Sequence, residues 1–237
     1  MAGQHRIAAV AGAPARPGVM NFLAQLCAQD HADLVSIARA ETIAKHHVVF
    51  RAGEPSTRVY FLQSGLVKIF EVSDLGREAI LWFCLSGEIF GLAEAVAGGI
   101  RGVNAMTCEH CEVLSIHGDE FRDFLARHPQ AALLSLQALS ARLRGLGHML
   151  VNFVSDDVHT RIGKLLLRLC ARYGERVGTE IVLRIPLTHQ AISDMVGAAR
   201  PTVSSVLSDL KRKGVLRIDN QRIRIESEDR LQELAQG

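Results

Sequence analysis

Short apolar runs separated by glycines characterise the first half of the chain. Residues 59–62, 66–70 and 79–83 are β-prone, and glycine recurs between them and on towards residue 116. Short strands with a turn signal about every ten residues are typical of an antiparallel sandwich or barrel. Upstream, the apolar residues of positions 22–38 have helical spacing. We therefore expect a short helix over residues 22–38, followed by an antiparallel β domain.

A leucine-rich stripe runs along residues 129–154, which its period predicts to be helical. Its members are spaced 3, 4, 3, 4 and 3 residues apart: Leu136, Leu139, Leu143, Leu146, Leu150 and Phe153. This is the a/d spacing of a two-stranded coiled coil, and an amphipathic helix packed on its own domain is the alternative. Because the period is that of a heptad, the sequence favours a homodimer with these six residues as its seam.

Two short helices close together are predicted nearer the C-terminus. Thr188 is a suitable N-cap for a helix over residues 189–195, and Gly197 suits the tight turn that follows. Pro201 fits the first turn of a second helix, because its missing N–H costs nothing there. This second helix should extend to Lys213.

The second of these helices has one apolar face and one polar face. The inward residues are Val203, Val206, Leu207 and Leu210, and the outward residues are Arg200, Ser204, Ser208 and Lys211. Small hydroxyl side chains permit close approach to a DNA groove, an arginine can read a guanine edge, and basic residues neutralise phosphates. A hairpin is predicted after the helix, over residues 215–225, so the pattern indicates a winged helix-turn-helix.

The charge distribution agrees with a nucleic-acid-binding C-terminal half. The chain of 237 residues has a net charge of +2, but residues 158–224 contain thirteen Lys or Arg and five Asp or Glu. That segment therefore carries +8 and the remainder carries −6. Such segregation favours a polyanion-binding half joined to a half with a different task.

The overall composition, with 48% hydrophobic and 22% charged residues, is that of a globular protein. No run of about 18 apolar residues occurs, so no membrane span is expected. Residues 1–20 lack the apolar core of a secretory signal and are predicted to form a flexible tail. Five cysteines are an odd number in a chain large enough to fold without disulfides. They favour reduced thiols and a cytoplasmic location.

Ordered motifs in both halves resemble those of the CRP/FNR family of bacterial transcription regulators. They comprise residues 50–54, 60–65, 76–78, 87–91, 111–113, 188–193, 196–197, 200–203 and 210–214. The resemblance implies an α+β protein with an antiparallel β-roll of the cyclic-nucleotide-binding type over residues 21–126. A long dimerisation helix over 127–155 and a winged helix-turn-helix over 156–237 would follow.

The same resemblance implies how such a protein works. It would be a sequence-specific DNA-binding transcription regulator that acts as a dimer on palindromic double-stranded DNA and works with RNA polymerase. An effector held in the β-roll would tilt the dimer helices and so set the spacing of the two recognition helices. Half-sites would lie about 34 Å apart on one face of the duplex.

Residues for DNA contact are carried over position by position. Arg200 resembles the family's guanine-reading Arg, Thr202 a phosphate-contacting Thr, and Ser204 the Ser that FNR-like members present to a base. Pro201 and Ser205 depart from the family, which has Glu or Arg there, so no standard half-site is assigned. The predicted DNA-binding residues are Thr188, His189, Gln190, Arg200, Pro201, Thr202, Ser204, Ser205, Ser208 and Lys211.

The effector pocket departs further from the cyclic-AMP type. Leu92 stands where that pattern has the Glu that holds the ribose, and Gly102 replaces the hydroxyl of its Arg-Ser phosphate clamp. Arg101 remains, either as a partial clamp or as a surface or domain-contact residue. The predicted pocket residues are Gly87, Glu88, Gly91, Leu92, Ala93, Arg101 and Gly102. These replacements disfavour cyclic AMP as the effector.

Metal-based sensing is not supported by a ligand pattern. Cys27 is the single cysteine near the N-terminus, whereas iron–sulfur-type members have several there. Cys108 and Cys111 have a metal-like spacing, but in one extended strand they would point to opposite faces. The adjacent pair His46-His47 would likewise diverge on a strand. No metal ligand is assigned, the cofactor is unknown, and an apolar ligand, haem bound by other residues and an iron–sulfur centre stay open.

A metalloenzyme of cupin type with an accessory DNA-binding module is the alternative function. That chemistry needs a His-x-His pair together with a Glu and a further His. No His-x-His occurs between residues 48 and 116, and His110 and His117 stand alone. The sequence therefore predicts a protein that is not an enzyme.

Overall fold

The computed structural model describes residues 21–74, 76–219 and 222–236. The tail predicted over residues 1–20 and the tip of the predicted hairpin, residues 220 and 221, lie outside the described residues.

Within these ranges the N-terminal half contains eight strands and three helices after a 3₁₀ turn at Leu23–Gln25. The strands are β1 (Arg39–Ile43), β2 (Val48–Phe50), β3 (Arg58–Ser64), β4 (Leu66–Val72), β5 (Glu78–Leu85), β6 (Ile89–Phe90), β7 (Asn104–Thr107) and β8 (Cys111–His117). The helices are α1 (Ala28–Ile37), α2 (Leu92–Ala97) and α3 (Gly118–Arg127). The single helix expected over residues 22–38 is wrong in one respect, because it is interrupted at Cys27, whose sulfur caps α1.

The strands form two four-stranded antiparallel sheets, with orders β1-β8-β3-β6 and β2-β7-β4-β5. Side chains such as Leu62, Ile69 and Val113 fill the space between the sheets. On the outer face of the first sheet, Phe61 and Leu114 pack under the helices. In β8, residues 113–116 are buried on both faces of the strand, and three of these four residues are apolar.

A long helix, α4 (Pro129–Ser155), follows α3. Its first turns bury Ala131 and Leu134 against the β-roll, and the helix then continues for several turns with much of its surface exposed. At 27 residues it spans about 40 Å.

The described part of the C-terminal half has four helices and two hairpins around one core. Its elements are α5 (Val158–Tyr173), β9 (Gly174–Val177), β10 (Glu180–Leu183), α6 (His189–Val196), α7 (Arg200–Arg212), β11 (Leu216–Asp219), β12 (Arg222–Ile225) and α8 (Glu228–Gln236). The strands form a sheet of order β11-β12-β10-β9. Asp157 caps α5 by accepting from the Thr160 amide at 2.8 Å.

The two halves pack against each other through β4 and β5. Phe70, Ile80 and Phe83 of these strands belong to the same apolar core as α5 and α6. The Tyr173 hydroxyl donates to the Phe83 carbonyl at 2.9 Å and accepts from the Phe83 amide at 3.3 Å. The α+β architecture expected from the sequence is confirmed.

Two local expectations are wrong because a turn stands where one strand was assumed. Cys108 follows β7 and Cys111 begins β8, so a turn separates them. His46 and His47 lie in the turn between β1 and β2, both exposed, and His46 has a positive φ of 62°. Histidine tolerates this left-handed conformation better than most side chains.

Candidate functional site

Helices α6 and α7 meet at a tight turn. The Thr188 hydroxyl accepts from the Ala191 amide at 3.0 Å and caps α6 as predicted. Gly197 ends α6 with φ of 60°, a conformation that glycine adopts without a steric penalty. Pro201 lies in the first turn of α7, and the four predicted inward residues of that helix are all buried. This packing fixes the opposite face of α7 towards solvent.

That exposed face carries most of the predicted DNA-binding side chains. Its exposed members are Arg200, Pro201, Thr202, Ser205, Ser208 and Lys211. Among the described residues, Arg200 and Lys211 form neither an ion pair nor a side-chain hydrogen bond. Their cationic groups are therefore available to an anionic partner, and the small residues between them leave room for it.

Besides Thr188, which caps α6, three predicted residues are already engaged within the protein. His189 Nδ1 and Ser204 Oγ are 2.8 Å apart, which joins α6 to α7. Gln190 Nε2 donates to Asp194 Oδ1 at 2.7 Å. Ser204 is half-buried by this contact, so its hydroxyl is less free than its position in the sequence suggests.

Basic residues extend the charged surface beyond α7. Lys213 Nζ lies 2.8 Å from Asp209 Oδ2, and Arg212 pairs with the same carboxylate. The hydrogen bond from Lys213 is the main reason that the pKa of Asp209 lies below its usual value. Arg222 was not among the predicted residues, yet it is exposed at the start of β12, beside the hairpin tip. An arginine next to a predicted hairpin turn was the available signal for it.

A cavity of about 250 Å³ lies between the β-roll and α4. Phe50, Ile69 and Phe90 line its β-roll side. Leu139, Leu143 and Leu146 line its α4 side, together with Ala138 and Arg142. The walls are mainly apolar, as expected for a small-molecule site.

Some predicted pocket residues line this cavity and others do not. Gly91, Leu92 and Ala93 are in the lining. Gly87, Glu88, Arg101 and Gly102 are outside it; the Gly87 carbonyl, for example, accepts from the Phe22 amide at 2.7 Å. The pocket is therefore assembled less from the glycine-rich motif and more from α4 than the sequence suggested.

Arg101 is held in a backbone cradle. Its Nη1 donates to the Gly91 carbonyl at 2.8 Å, its Nη2 to the Arg58 carbonyl, and its guanidinium stacks 4.1 Å from the Phe50 ring. Glu94 lies 3.5 Å from Nη1 and favours the charged form, whereas burial lowers the pKa of Arg101. At 2% exposure it is not a surface residue. Gly91 permits this approach, because a Cβ there would lie 2.9 Å from Nη1.

Glu88, the residue before β6, connects three parts of the chain. Its Oε1 accepts from Arg142 of α4 at 3.2 Å and from Arg172 of α5 at 2.5 Å. Its Oε2 accepts from the Leu85 amide at 2.9 Å. The carboxylate is 5% exposed, and a buried carboxylate needs such partners. Neither arginine was singled out from the sequence.

The predicted dimer seam is divided between two environments. Leu136, Leu143 and Leu150 are between 62% and 73% exposed, and Phe153 is 40% exposed. Leu139 and Leu146 are half-buried against the β-roll side of α4. The solvent-facing stripe therefore repeats every seven residues at 136, 143 and 150.

Cysteine thiols lie mostly in the interior. Burial raises the pKa of Cys84 and Cys108 to about 11, and that of Cys170 to about 12. Protonated thiols are weak nucleophiles and poor metal ligands. In the described part of the chain, no group of three or more His, Cys, Asp or Glu is placed to hold a metal ion.

Comparison with known proteins identifies both halves. The family profile of the cyclic nucleotide-binding domain matches residues 40–128, and that of the Crp-like helix-turn-helix domain matches residues 160–234. The CRP-like cAMP-activated global transcriptional regulator of Mycobacterium tuberculosis is 32% identical over 185 residues, which cover 78% of this chain and 83% of that protein. The chain belongs to the CRP/FNR family.

A further relative agrees with this assignment in sequence, and a solved structure agrees with it in fold. The global nitrogen regulator of Synechocystis is 31% identical over 187 residues, covering 78% of this chain and 83% of the relative. The structure of the c-di-GMP-responsive global regulator CLP from Xanthomonas campestris matches with a TM-score of 0.75 and 22% identity, covering 85% of this chain and all of that one. The chain is thus a CRP/FNR-type transcription regulator with a cyclic-nucleotide-binding-type domain and a helix-turn-helix. None of its described helices has the length and apolarity to cross a membrane.

Proposed function

We propose that this CRP/FNR-family regulator binds palindromic DNA as a homodimer and acts on transcription through RNA polymerase, without catalysing a reaction. Residues 21–126 sense the effector, 127–155 join the two protomers, and 156–237 bind DNA. The exposed leucines of α4 support dimerisation, and the free Arg200 and Lys211 support insertion of α7 into the major groove.

The main support for allosteric control is that the effector cavity and the predicted dimer seam share residues of α4. Leu139, Leu143 and Leu146 line the 250 Å³ cavity and belong to the predicted dimer seam. A ligand in the cavity therefore contacts the helix that joins the protomers. Because a ligand shifts an equilibrium by its differential affinity for two states, contact with the seam favours one arrangement of the dimer helices over the other.

The cavity supports an effector that is mainly apolar and is not cyclic AMP. The relative from Mycobacterium tuberculosis is described as cAMP-activated. In this chain, two Arg101 nitrogens bond backbone carbonyls and Arg101 lies outside the cavity lining, so its guanidinium is not presented to a phosphate. Leu92, in the lining, replaces the ribose-binding carboxylate. Arg142 also lines the cavity but is paired with Glu88, and the remaining walls are mainly apolar, so burying a charged phosphate there is costly.

A binding experiment on the full-length protein tests this function. Palindromic sites are selected from a random DNA pool, and affinity for the selected site is measured by fluorescence anisotropy with cyclic AMP or a neutral naphthalene-type probe. We expect the apolar probe, and not cyclic AMP, to bind saturably and change DNA affinity. Ala138→Phe, which fills the cavity, should abolish the response, whereas the exposed control Gln137→Phe should keep it. A response of the unmodified protein to cyclic AMP, or a response to the apolar probe that survives Ala138→Phe, contradicts the proposal.

A further inference from the structure

A second, smaller cavity of about 80 Å³ lies at the junction of the two halves. It forms where β5, α4, α5 and α6 meet. Leu81 and Trp82 come from β5, and Met195 comes from α6. This volume is enough to hold several water molecules. A small polyatomic ion is of this size.

Three guanidinium groups line this junction cavity. Arg142 comes from α4, and Arg168 and Arg172 lie one helical turn apart on the same face of α5. The side chains of Arg142 and Arg172 are only 15% and 23% exposed. The cavity therefore places three positive charges in a half-buried space.

The carboxylates nearby do not balance this charge. Glu88 pairs with Arg142 and Arg172 through the same oxygen. Arg168 has no ion pair or side-chain hydrogen bond to any residue that the structure describes, and the Nε of Arg172 is buried without a partner. Three cations against one anion leave a net charge of +2 around the cavity. Unpaired buried charge is unfavourable, so the arrangement calls for another anion.

The electrostatics of Arg168 agree with this deficit. Its pKa is lowered first by burial and also by the neighbouring Arg172 guanidinium, while Tyr173 acts in the opposite direction. Arginine stays protonated over the physiological range, so Arg168 remains a cation that is not paired with any carboxylate in the described ranges.

We propose that this cavity binds a small oxyanion of the phosphate type, held by Arg142, Arg168 and Arg172. Planar guanidinium groups bind phosphate oxygens through paired, charge-assisted hydrogen bonds, which a point-like ammonium does not provide. The occupant would bridge the β-roll, the dimer helix and the DNA-binding half, and so would stabilise their present arrangement. This site is distinct from the effector cavity, although Trp82, Arg142 and Leu146 line both.

Trp82 offers a direct measurement, because it is the single tryptophan of the chain and lines the junction cavity. The Arg142 guanidinium lies 5.2 Å from its ring centroid. Phosphate is titrated into the DNA-free protein at constant ionic strength, with chloride as the balancing anion, while Trp82 emission is followed. Equilibrium dialysis with labelled phosphate gives the stoichiometry. We expect a saturable change in emission and one phosphate per chain.

Variants separate the site from general charge effects. Arg168→Ala should weaken phosphate binding by about tenfold or more, as expected for the loss of one charge-assisted contact. Arg168→Lys keeps the charge and the packing of the stem, so it should weaken phosphate binding less. This variant also tests the site if Arg168→Ala does not fold. Arg144→Ala, an exposed change on α4 outside the cavity, should have no effect. Glu88→Gln removes the competing carboxylate and should strengthen phosphate binding.

The comparison of inorganic phosphate with phenyl phosphate identifies the source of the oxyanion. Tighter binding of phenyl phosphate indicates the head group of a larger ligand that reaches the apolar cavity, and equal binding indicates a free ion. The proposal is overturned if chloride alone reproduces the change in emission, or if both Arg168 variants bind phosphate as the unmodified protein does. DNA binding is measured separately by anisotropy. Either result therefore overturns the phosphate site without contradicting the proposed DNA-binding function.

Discussion

Phe153, near the end of α4, packs directly on Gly197, in the turn between α6 and α7. A Cβ on residue 197 would lie only 2.6 Å from Phe153 Cε1. Arg161 strengthens the same junction, because its Nε donates to the Val196 carbonyl at 3.1 Å and its guanidinium lies 5.5 Å from the Phe153 ring. The last turn of the dimer helix therefore touches the helix-turn-helix without an intervening linker.

This contact gives a physical route from the effector cavity to α7. The cavity is lined by α4 residues about two to four turns before Phe153, with Leu146 the nearest of them. A close-packed interface transmits a displacement instead of absorbing it, since protein interiors have few voids. A tilt of α4 should therefore move the turn at Gly197 and, with it, the start of α7.

Gly197→Ala should destabilise the protein through two separable terms. A left-handed conformation costs a non-glycine residue about 1–2 kcal/mol, and the new methyl group would also collide with Phe153. We expect the free energy of unfolding, measured by urea denaturation, to fall by more than the roughly 1–2 kcal/mol that the left-handed conformation alone costs.

Gly178→Ala is the matched control for backbone strain. Gly178 has nearly the same φ, 63°, but nothing lies within 4 Å of its Cβ position. The excess loss in Gly197→Ala over Gly178→Ala is the cost of the collision. Phe153→Ala should remove most of this excess in the double variant; additive losses would mean that the two residues do not touch in solution.

The sequence was most informative where a pattern is local to one element. The cap at Thr188, the proline in the first turn of α7 and the buried face that includes Val203 and Leu207 all depend on spacings of four residues or fewer, and all are confirmed. Helix α3 had a local signal that was not used. Phe121 and Phe124 are buried one turn apart, after an acidic first turn at Asp119 and Glu120.

Contacts between distant residues were not predictable from one sequence. Glu88 and Arg172 are 84 positions apart, and Arg101 reaches the Arg58 carbonyl across 43. No periodicity relates such pairs, because their proximity depends on how whole sheets and helices pack. For the same reason, Arg101 was predicted to be an effector-pocket residue, whereas in the structure its guanidinium bonds backbone carbonyls outside the cavity lining.

Arg200→Ala should relax base discrimination at one position of the half-site. Arg200 is exposed and unpaired among the described residues, so it can reach a guanine edge. We expect a loss of about 1–3 kcal/mol that is confined to one base pair, measured by anisotropy on a panel of single-base variants of the selected site.

Lys211→Ala provides the contrast within the same helix. A residue that contacts only phosphate should weaken binding to every sequence equally and reduce the salt-dependence slope by about 1. If Arg200→Ala gives this uniform pattern instead, Arg200 contacts the DNA backbone and not a base.

Leu143→Lys should dissociate the homodimer while leaving each protomer folded. Leu143 is 73% exposed in the single chain and only borders the effector cavity, so a lysine there should leave the core of the protomer intact. In the paired state it would bury two like charges in the seam, which should weaken association on the order of a hundredfold or more. Sedimentation velocity should show monomers for this variant and dimers for the exposed, off-stripe control Gln137→Lys. An unchanged dimer would exclude the stripe at 136, 143 and 150 as the interface.

Tyr173 should make the contact between the halves sensitive to alkaline pH. Burial raises the pKa of Tyr173 from 10.0 to about 12, while its hydroxyl exchanges hydrogen bonds with the Phe83 backbone. The folded state thus holds this proton more tightly than the unfolded chain. The contribution of the Tyr173 proton to the free energy of unfolding is complete below pH 10. It is lost as the pH rises towards 12, at up to about 1.4 kcal/mol per pH unit.

Tyr173→Phe should lower the unfolding free energy at neutral pH by about 1–3 kcal/mol, because the Phe83 backbone groups lose their partner. The same variant should lack the Tyr173 component of the alkaline loss, so its stability should approach that of the unmodified protein as the pH rises. The chain has two tyrosines, so Tyr60→Phe leaves Tyr173 alone for titration by phenolate absorbance. A midpoint near 10 in Tyr60→Phe would mean that water reaches Tyr173 and that the two halves separate readily in solution.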